Sequence, residues 1–206
     1  MNTLRELDLS HNHQITGTIP SELGLSTALV TIDLSHLPLS TSTIPPSLGS
    51  LSRLEVLDLS ESELIGSLPP NLFGAETLRT LDVSSNNLNG TIPSSMGNAT
   101  DLHVLNLSRN FLTGTLPSEI AKLTHLNILE LANNNFSGPL PSFLSSMPLL
   151  ELVSIWDSGF TGEIPSDFCS TDLNREIVVT CSNGNITMLP CMRCVEHYPQ
   201  IIRNEL

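Results

Sequence analysis

Residues Leu102–Pro117 read LHVLNLSRNFLTGTLP. Leu105 and Leu107 alternate with the polar Asn106, the period of two expected of a strand with one buried face. Gly114 permits a tight bend. Pro117 fixes φ and withdraws a backbone donor, so no regular helix starts through it. The stretch upstream, Leu78–Pro93, reads LRTLDVSSNNLNGTIP, and the one downstream, Leu126–Pro141, reads LNILELANNNFSGPLP. Leu54, Leu78, Leu102, Leu126 and Leu150 follow one another at intervals of 24 residues. Earlier copies start at Leu4 and Leu29, each one residue longer, and a seventh reads LELVSIWDSGFTGEIP from Leu150. The shared template is LxxLxLxxNxLxGxIP.

A fixed period of this length marks a stack of layers. No hairpin turn follows the short strand, so the chain completes a circuit and returns beside it. The strands are therefore expected to be parallel, with right-handed crossovers. A second apolar set, such as Ile120 and Leu123, closes each layer on the far side. One layer buries too few side chains to offset the entropy of ordering it, so stability belongs to the stack and its ends need caps. The expected organisation is seven repeats over residues 1–168, then a cysteine-containing capping segment and tail over 169–206.

Position 9 of the template holds Asn12, Asn86, Asn110 and Asn134, expected to form an internal ladder satisfying backbone groups where the chain leaves the strand. Leu37, Ser62 and Ser158 interrupt it. The second repeat also has LSTSTIP in place of the glycine-containing segment, so irregularity is expected between Leu37 and Ile44.

These phrases resemble the plant-type leucine-rich repeat family, whose pattern LxxLxxLDLSxNxLxGxIPxxLGxL is nearly matched by LEVLDLSESELIGSLPPNLFG and LHVLNLSRNFLTGTLPSEIAKL. The resemblance implies a right-handed leucine-rich-repeat solenoid of α/β type. Short parallel strands would line its concave face, and irregular or 3-10 structure its convex side. It also implies the roles of that family: ectodomains of receptor kinases and receptor-like proteins, and secreted inhibitors of cell-wall-degrading hydrolases. The chain shows no kinase motif, and it lacks the cysteine-paired N-terminal cap usual in plant members. An intracellular scaffold is the third alternative.

Lys and Arg total 8 and Asp and Glu total 21, a net charge of −13. That balance disfavours nucleic acid and anionic membranes as partners. Leucine fills 37 of the 206 positions while aromatics supply 4%, which suits small repeated layers better than an irregular globule. No apolar run approaches the ~18–20 residues that span a bilayer. The start, MNTLRELDLSHN, has no signal-peptide pattern and begins inside the repeat, so the chain reads as a piece of a longer protein, with a membrane-anchored parent compatible with it.

Cys169, Cys181, Cys191 and Cys194 all follow the repeats. An even count confined to a flank reads as two disulfides in an oxidising compartment. Three pairings are open, and Cys169–Cys191 with Cys181–Cys194 would tie the last repeat to the tail. Cys191 and Cys194 also have the gap of a zinc half-site. Cys169 and Cys181, with eleven residues between them, do not supply the second half, so no metal or cofactor is expected. Sequons stand at Asn89, Asn98, Asn106, Asn135 and Asn185, with sugar expected first at Asn98 or Asn185 and least at Asn106, which lies on a strand. A secreted or cell-surface glycoprotein is the expected product.

Outward positions on the strands are 3, 5, 7 and 8. Position 5 reads Asp8, Asp33, Asp58, Asp82, Asn106, Glu130, Ser154, an acidic column that is either a site for a basic partner or cations, or a run of solvated residues bonding their neighbours before Leu-Ser. Position 3 ends Val104, Ile128, Leu152, and position 7 of the seventh repeat is Trp156. Adjacent exposed aliphatics beside a Trp mark a contact surface. The concave-face candidates for binding a protein, peptide or glycan are Val104, Ile128, Leu152 and Trp156 with Asp58, Asp82 and Glu130. His11 and His36, at position 8 of adjacent repeats, are expected near each other. No nucleophile motif, phosphate loop or spaced carboxylate pair appears, so no catalytic residue and no enzymatic activity are expected.

Overall fold

The structure, a computed structural model, describes residues 3–169, 178–180 and 186–187. One parallel sheet runs along the whole stack. Its strands, in spatial and chain order, are Glu6–Asp8, Thr31–Asp33, Val56–Asp58, Thr80–Asp82, Val104–Asn106, Ile128–Glu130, Leu152–Ser154 and Val178–Thr180. Equivalent template positions pair across every step. Leu57 faces Leu81, Leu81 faces Leu105, and Leu105 faces Leu129. The register follows from the period of two, because a slip of one residue would turn every leucine to solvent.

After each of the first seven concave strands the chain bends through a residue with positive φ, and in the third to sixth repeats it then enters a second, lateral sheet. This sheet holds Ile65–Ser67, Asn87–Thr91, Phe111–Gly114 and Asn135–Phe136, again parallel. Gly114 sits there at φ +80°, and a Cβ on it would stand 2.8 Å from Thr91 Cγ2. The chain then returns through a short 3-10 turn. Those of the middle layers are Pro70–Gly74, Ser94–Asn98 and Ser118–Lys122. A proline in extended conformation precedes each of them, with φ of −72°, −73° and −68° for Pro69, Pro93 and Pro117. Its fixed φ sets the direction of entry. No α-helix occurs among the described residues, so the convex side is made of 3-10 turns alone.

The core is a single apolar column between the walls. In one middle layer it takes Leu102, Leu105 and Leu107 from the concave strand, Leu112 and Leu116 from the lateral wall, and Ile120 and Leu123 from the convex side. Phe136 and Phe160 stack at 5.3 Å between ring centroids and extend it toward the C-terminal end.

The stretch from Leu37 to Ile44 is irregular. No lateral strand forms there. Leu37 is buried at the ladder position, and its N–H is taken by Ser62 Oγ. Ser42 is buried, accepts from the Ile19 N–H at 2.9 Å and donates to the Thr43 carbonyl. The 3-10 turn Ser166–Cys169 ends the continuous described segment. The side chain of Cys169, together with Cys181, Cys191, Cys194 and Asn185, lies outside the described residues.

Candidate binding surface

Three of the four position-9 asparagines bridge layers. Asn86 Nδ2 donates to Leu59 O at 2.8 Å, while its Oδ1 accepts from the N–H groups of Ser62 and Leu64. Asn110 repeats this with Val83 O and the Leu88 N–H, and Asn134 with Leu107 O and the Leu112 N–H. Asn12 is exposed and reaches only carbonyls of its own repeat, those of Leu9 and Ser10. Where Ser62 replaces asparagine, its hydroxyl donates to Leu34 O at 2.7 Å. These side chains are consumed by the frame and are not free for a ligand.

The acidic column has a local cause. Asp8, Asp33, Asp58 and Asp82 each accept, through Oδ1, the N–H of the residue two further on: Ser10, Ser35, Ser60 and Ser84. This is the side-chain turn that Asp favours, and it explains the recurrent Asp-Leu-Ser. Asp82 Oδ2 also accepts Asn106 Nδ2 at 2.9 Å. Burial pushes the carboxyls of Asp58, Asp82 and Glu130 above their ordinary values, more than their hydrogen bonds to serines pull them down. At the exposed end of the column Asp8 goes the other way, held low mainly by Ser10 Oγ–H.

Val104, Ile128 and Leu152 form a small apolar cluster separate from the core. Their strands pair directly, Val104 with Ile128 and Ile128 with Leu152. The three are only 7%, 5% and 7% exposed, although they point away from the core. Side chains in one row on parallel strands stand ~4.8 Å apart and shield one another. Leu152 is flanked on its other side by the paired strand Val178–Thr180. Trp156, at 42% exposure, stands four residues beyond Leu152, across the position-5 row. A partner would meet a nearly flush aliphatic row with one projecting indole.

His11 and His36 stack at 4.1 Å between centroids, and His36 Nδ1 lies 3.2 Å from Glu61 Oε2. Sequence reasoning passed over Phe111. It is 57% exposed on the lateral wall. The available signal was a large apolar residue at template position 10, which holds Glu63, Asn87 and Asn135 in neighbouring repeats.

Leucine-rich repeat family descriptions match residues 1–19, 53–75 and 76–136. No curated protein matches the chain. Among solved structures, a TDR receptor is 36% identical over 90% of this chain and 31% of that one, with a TM-score of 0.80. The leucine-rich repeat ectodomain of the Arabidopsis receptor kinase HAESA, in complex with an IDA peptide hormone ligand, is 30% identical. That match covers 90% of this chain and 30% of the receptor, with a TM-score of 0.77. The ectodomain of the receptor kinase SOBIR1 from Arabidopsis thaliana is 31% identical over 63% of this chain and 70% of that one, with a TM-score of 0.59. The chain thus spans less than a third of the first two receptors. No helix among the described residues is long and apolar enough to cross a membrane. With the repeat frame, the ladder and these likenesses together, the chain belongs to the leucine-rich repeat family and is of the plant-type, receptor-ectodomain-like kind.

Proposed function

We propose that this chain is a non-enzymatic recognition module that works outside the cell and binds an extended peptide or protein segment along its concave wall. The observation that carries the reading is the placement of two rows side by side. The position-3 row, Val104, Ile128 and Leu152, lies outside the solenoid core, and the exposed Trp156 stands four residues beyond Leu152. The position-5 row, with Asp58, Asp82 and Glu130, lies two residues along the same strands or their neighbours. Because strand side chains alternate, both rows face the same side. Apolar ligand side chains would meet Trp156 and the aliphatic row. Basic ones would meet the carboxylates, whose burial leaves them a gain from a cationic partner. The chain's net charge of −13 adds long-range attraction for such a ligand. The peptide hormone bound by the HAESA ectodomain supports the choice of a peptide over a glycan. The secretory setting rests on the cysteine flank and the sequons, and with it goes the reading of residues 169–206 as a disulfide-linked cap.

The test is binding of the purified chain to a library of extended basic and apolar peptides, alongside a panel of cell-wall hydrolases. Selection of peptides, without inhibition of any hydrolase, is expected. Trp156→Ala should then weaken binding by roughly 30-fold, the scale of a buried aromatic anchor. Unchanged affinity in that variant, with the fold intact, would remove the patch from the reading. Binding of the basic peptides should also weaken as pH falls from neutral through the raised carboxyl pKa values of Asp58, Asp82 and Glu130.

A further inference from the structure

Among the described residues, the outer face of the four-stranded lateral sheet is polar apart from Ile65 near one end and Phe111 in its middle. Outward positions there include Ser67, Asn89, Thr91, Thr113 and Asn135, and all are exposed. Phe111 stands among them at 57% exposure. Its register partner on the neighbouring strand is Asn89. Residues in register on neighbouring parallel strands stand ~4.8 Å apart, close enough for groups attached to one to lie on the other. Asn89 opens the triplet Asn89-Gly90-Thr91, an acceptor sequence for N-linked sugar.

The sequons differ sharply in what their side chains are already doing. Asn106 is 6% exposed, donates Nδ2 to Asp82 Oδ2 at 2.9 Å, and accepts from both the N–H and the Oγ–H of Ser108. A sugar on Nδ2 would have to break that bond and displace neighbouring strands. Asn98 is exposed at the end of a convex 3-10 turn. Asn135 pairs with Thr113, two residues beyond Phe111, and so reaches the ring only on the diagonal. Of these four, Asn89 alone has an aromatic ring as its direct cross-strand neighbour.

We infer that Asn89 carries an N-linked glycan whose first N-acetylglucosamine lies on the ring of Phe111. In the transfer, Asn89 Nδ2 forms a bond to the anomeric carbon of the sugar. The bond from that carbon to a phosphate oxygen of a polyprenyl diphosphate donor breaks. The amide gives up one proton, the diphosphate leaves as the anion, and no oxidant or reductant is needed. One face of the pyranose is lined by axial C–H groups and suits an aromatic face through dispersion and weak C–H···π contact. The exposed phenylalanine thereby gains an apolar cover that the described residues do not supply. The glycan would project from the lateral wall and leave the concave rows open.

The inference rests on passage through the secretory pathway, so the experiment supplies that passage. The chain is secreted from a eukaryotic host behind an added signal peptide, and occupancy is read by glycopeptide mass spectrometry. Asn89 should be occupied and Asn106 empty. Melting is then compared for the parent, Phe111→Ala, Asn89→Gln and the double variant. Phe111→Ala should lower Tm by about 1–3 °C when Asn89 is glycosylated, and by clearly less in the Asn89→Gln background. An unoccupied Asn89 overturns the inference. So does an equal Tm shift in both backgrounds, since the ring would then not be touching sugar. Finding the native protein in the cytosol would instead sink the extracellular reading, so the two failures are told apart.

Discussion

The concave and lateral walls are built from the same repeats, yet only one of them is continuous. The concave sheet runs through eight strands from Glu6 to Thr180. The lateral sheet has four, from Ile65 to Phe136. Leucine, isoleucine or valine fills template positions 4 and 6 in every repeat, and that suffices for the concave strand. The lateral strands need more. They appear in the third to sixth repeats, with Gly66, Gly90, Gly114 and Gly138 at positive φ; Gly17 of the first repeat has the same conformation without a lateral strand, and Gly162 of the seventh lies in a separate two-stranded sheet. The third repeat has Ser62 in place of asparagine and keeps its lateral strand, so the amide is not required; the glycine alone does not suffice, because Gly17 has no strand beside it in the second repeat to pair with. The second repeat has no glycine in this segment and loses the strand. After Gly138 comes Pro139, which has no N–H to continue a ladder, and the four-stranded sheet stops there.

The largest expected effect should appear where both walls share one residue. Asn110→Ala strips the buried bonds to Val83 O, Leu107 O and the Leu88 N–H. It should cost about 2–4 kcal/mol, because buried backbone groups are left unpaired. Thermal melting should show it, and hydrogen exchange should rise on both walls of the adjoining layers. Gly114→Ala should act on one wall only. The +80° φ and the 2.8 Å approach to Thr91 Cγ2 predict a loss of about 1–3 kcal/mol. Amides of Leu112 and Thr113 should exchange faster while that of Leu105 keeps its protection. Equal loss on both walls would break the distinction.

A smaller effect should come from pH. Asp58, Asp82 and Glu130 have folded-state pKa values raised above the ordinary 3.8 for Asp and 4.5 for Glu. Above those raised values the native state carries buried charge at a cost. As pH falls through them the native state takes up protons before the unfolded chain does, so these three groups favour folding increasingly until the ordinary values are reached. Denaturant titration in this window should show their contribution rising on acidification, and Asp82→Asn should flatten its share. A steeper pH dependence in that variant would contradict the assignment to burial. The smallest stability change is expected for Trp156→Ala, within about 0.5 kcal/mol, because its ring is largely in solvent. A large drop would mean that the indole supports the frame.

The concave strands were legible because a period of two in leucine has one structural solution. The lateral break at Leu37–Ile44 was legible from a missing glycine. Two things were not. Val104, Ile128 and Leu152 read as exposed aliphatics, but a linear pattern does not carry the mutual shielding of one row by its neighbours. Asp at position 5, by contrast, read as a residue that bonds its neighbours before Leu-Ser, and it holds the serine N–H two residues on. Phe111 went unread because the lateral positions follow a glycine bend that resets the alternation.

At every corner where the concave strand ends, the described chain places one non-glycine residue near φ +50° to +57°: His11, His36, Glu61, Ser85, Arg109, Asn133 and Asp157. The backbone there tolerates basic, acidic and neutral side chains, and none of the seven is β-branched, the type this conformation disfavours most. That corner is thus a row of sockets along the rim of the solenoid. Their charge can be rewritten one layer at a time while the leucines behind them stay as they are.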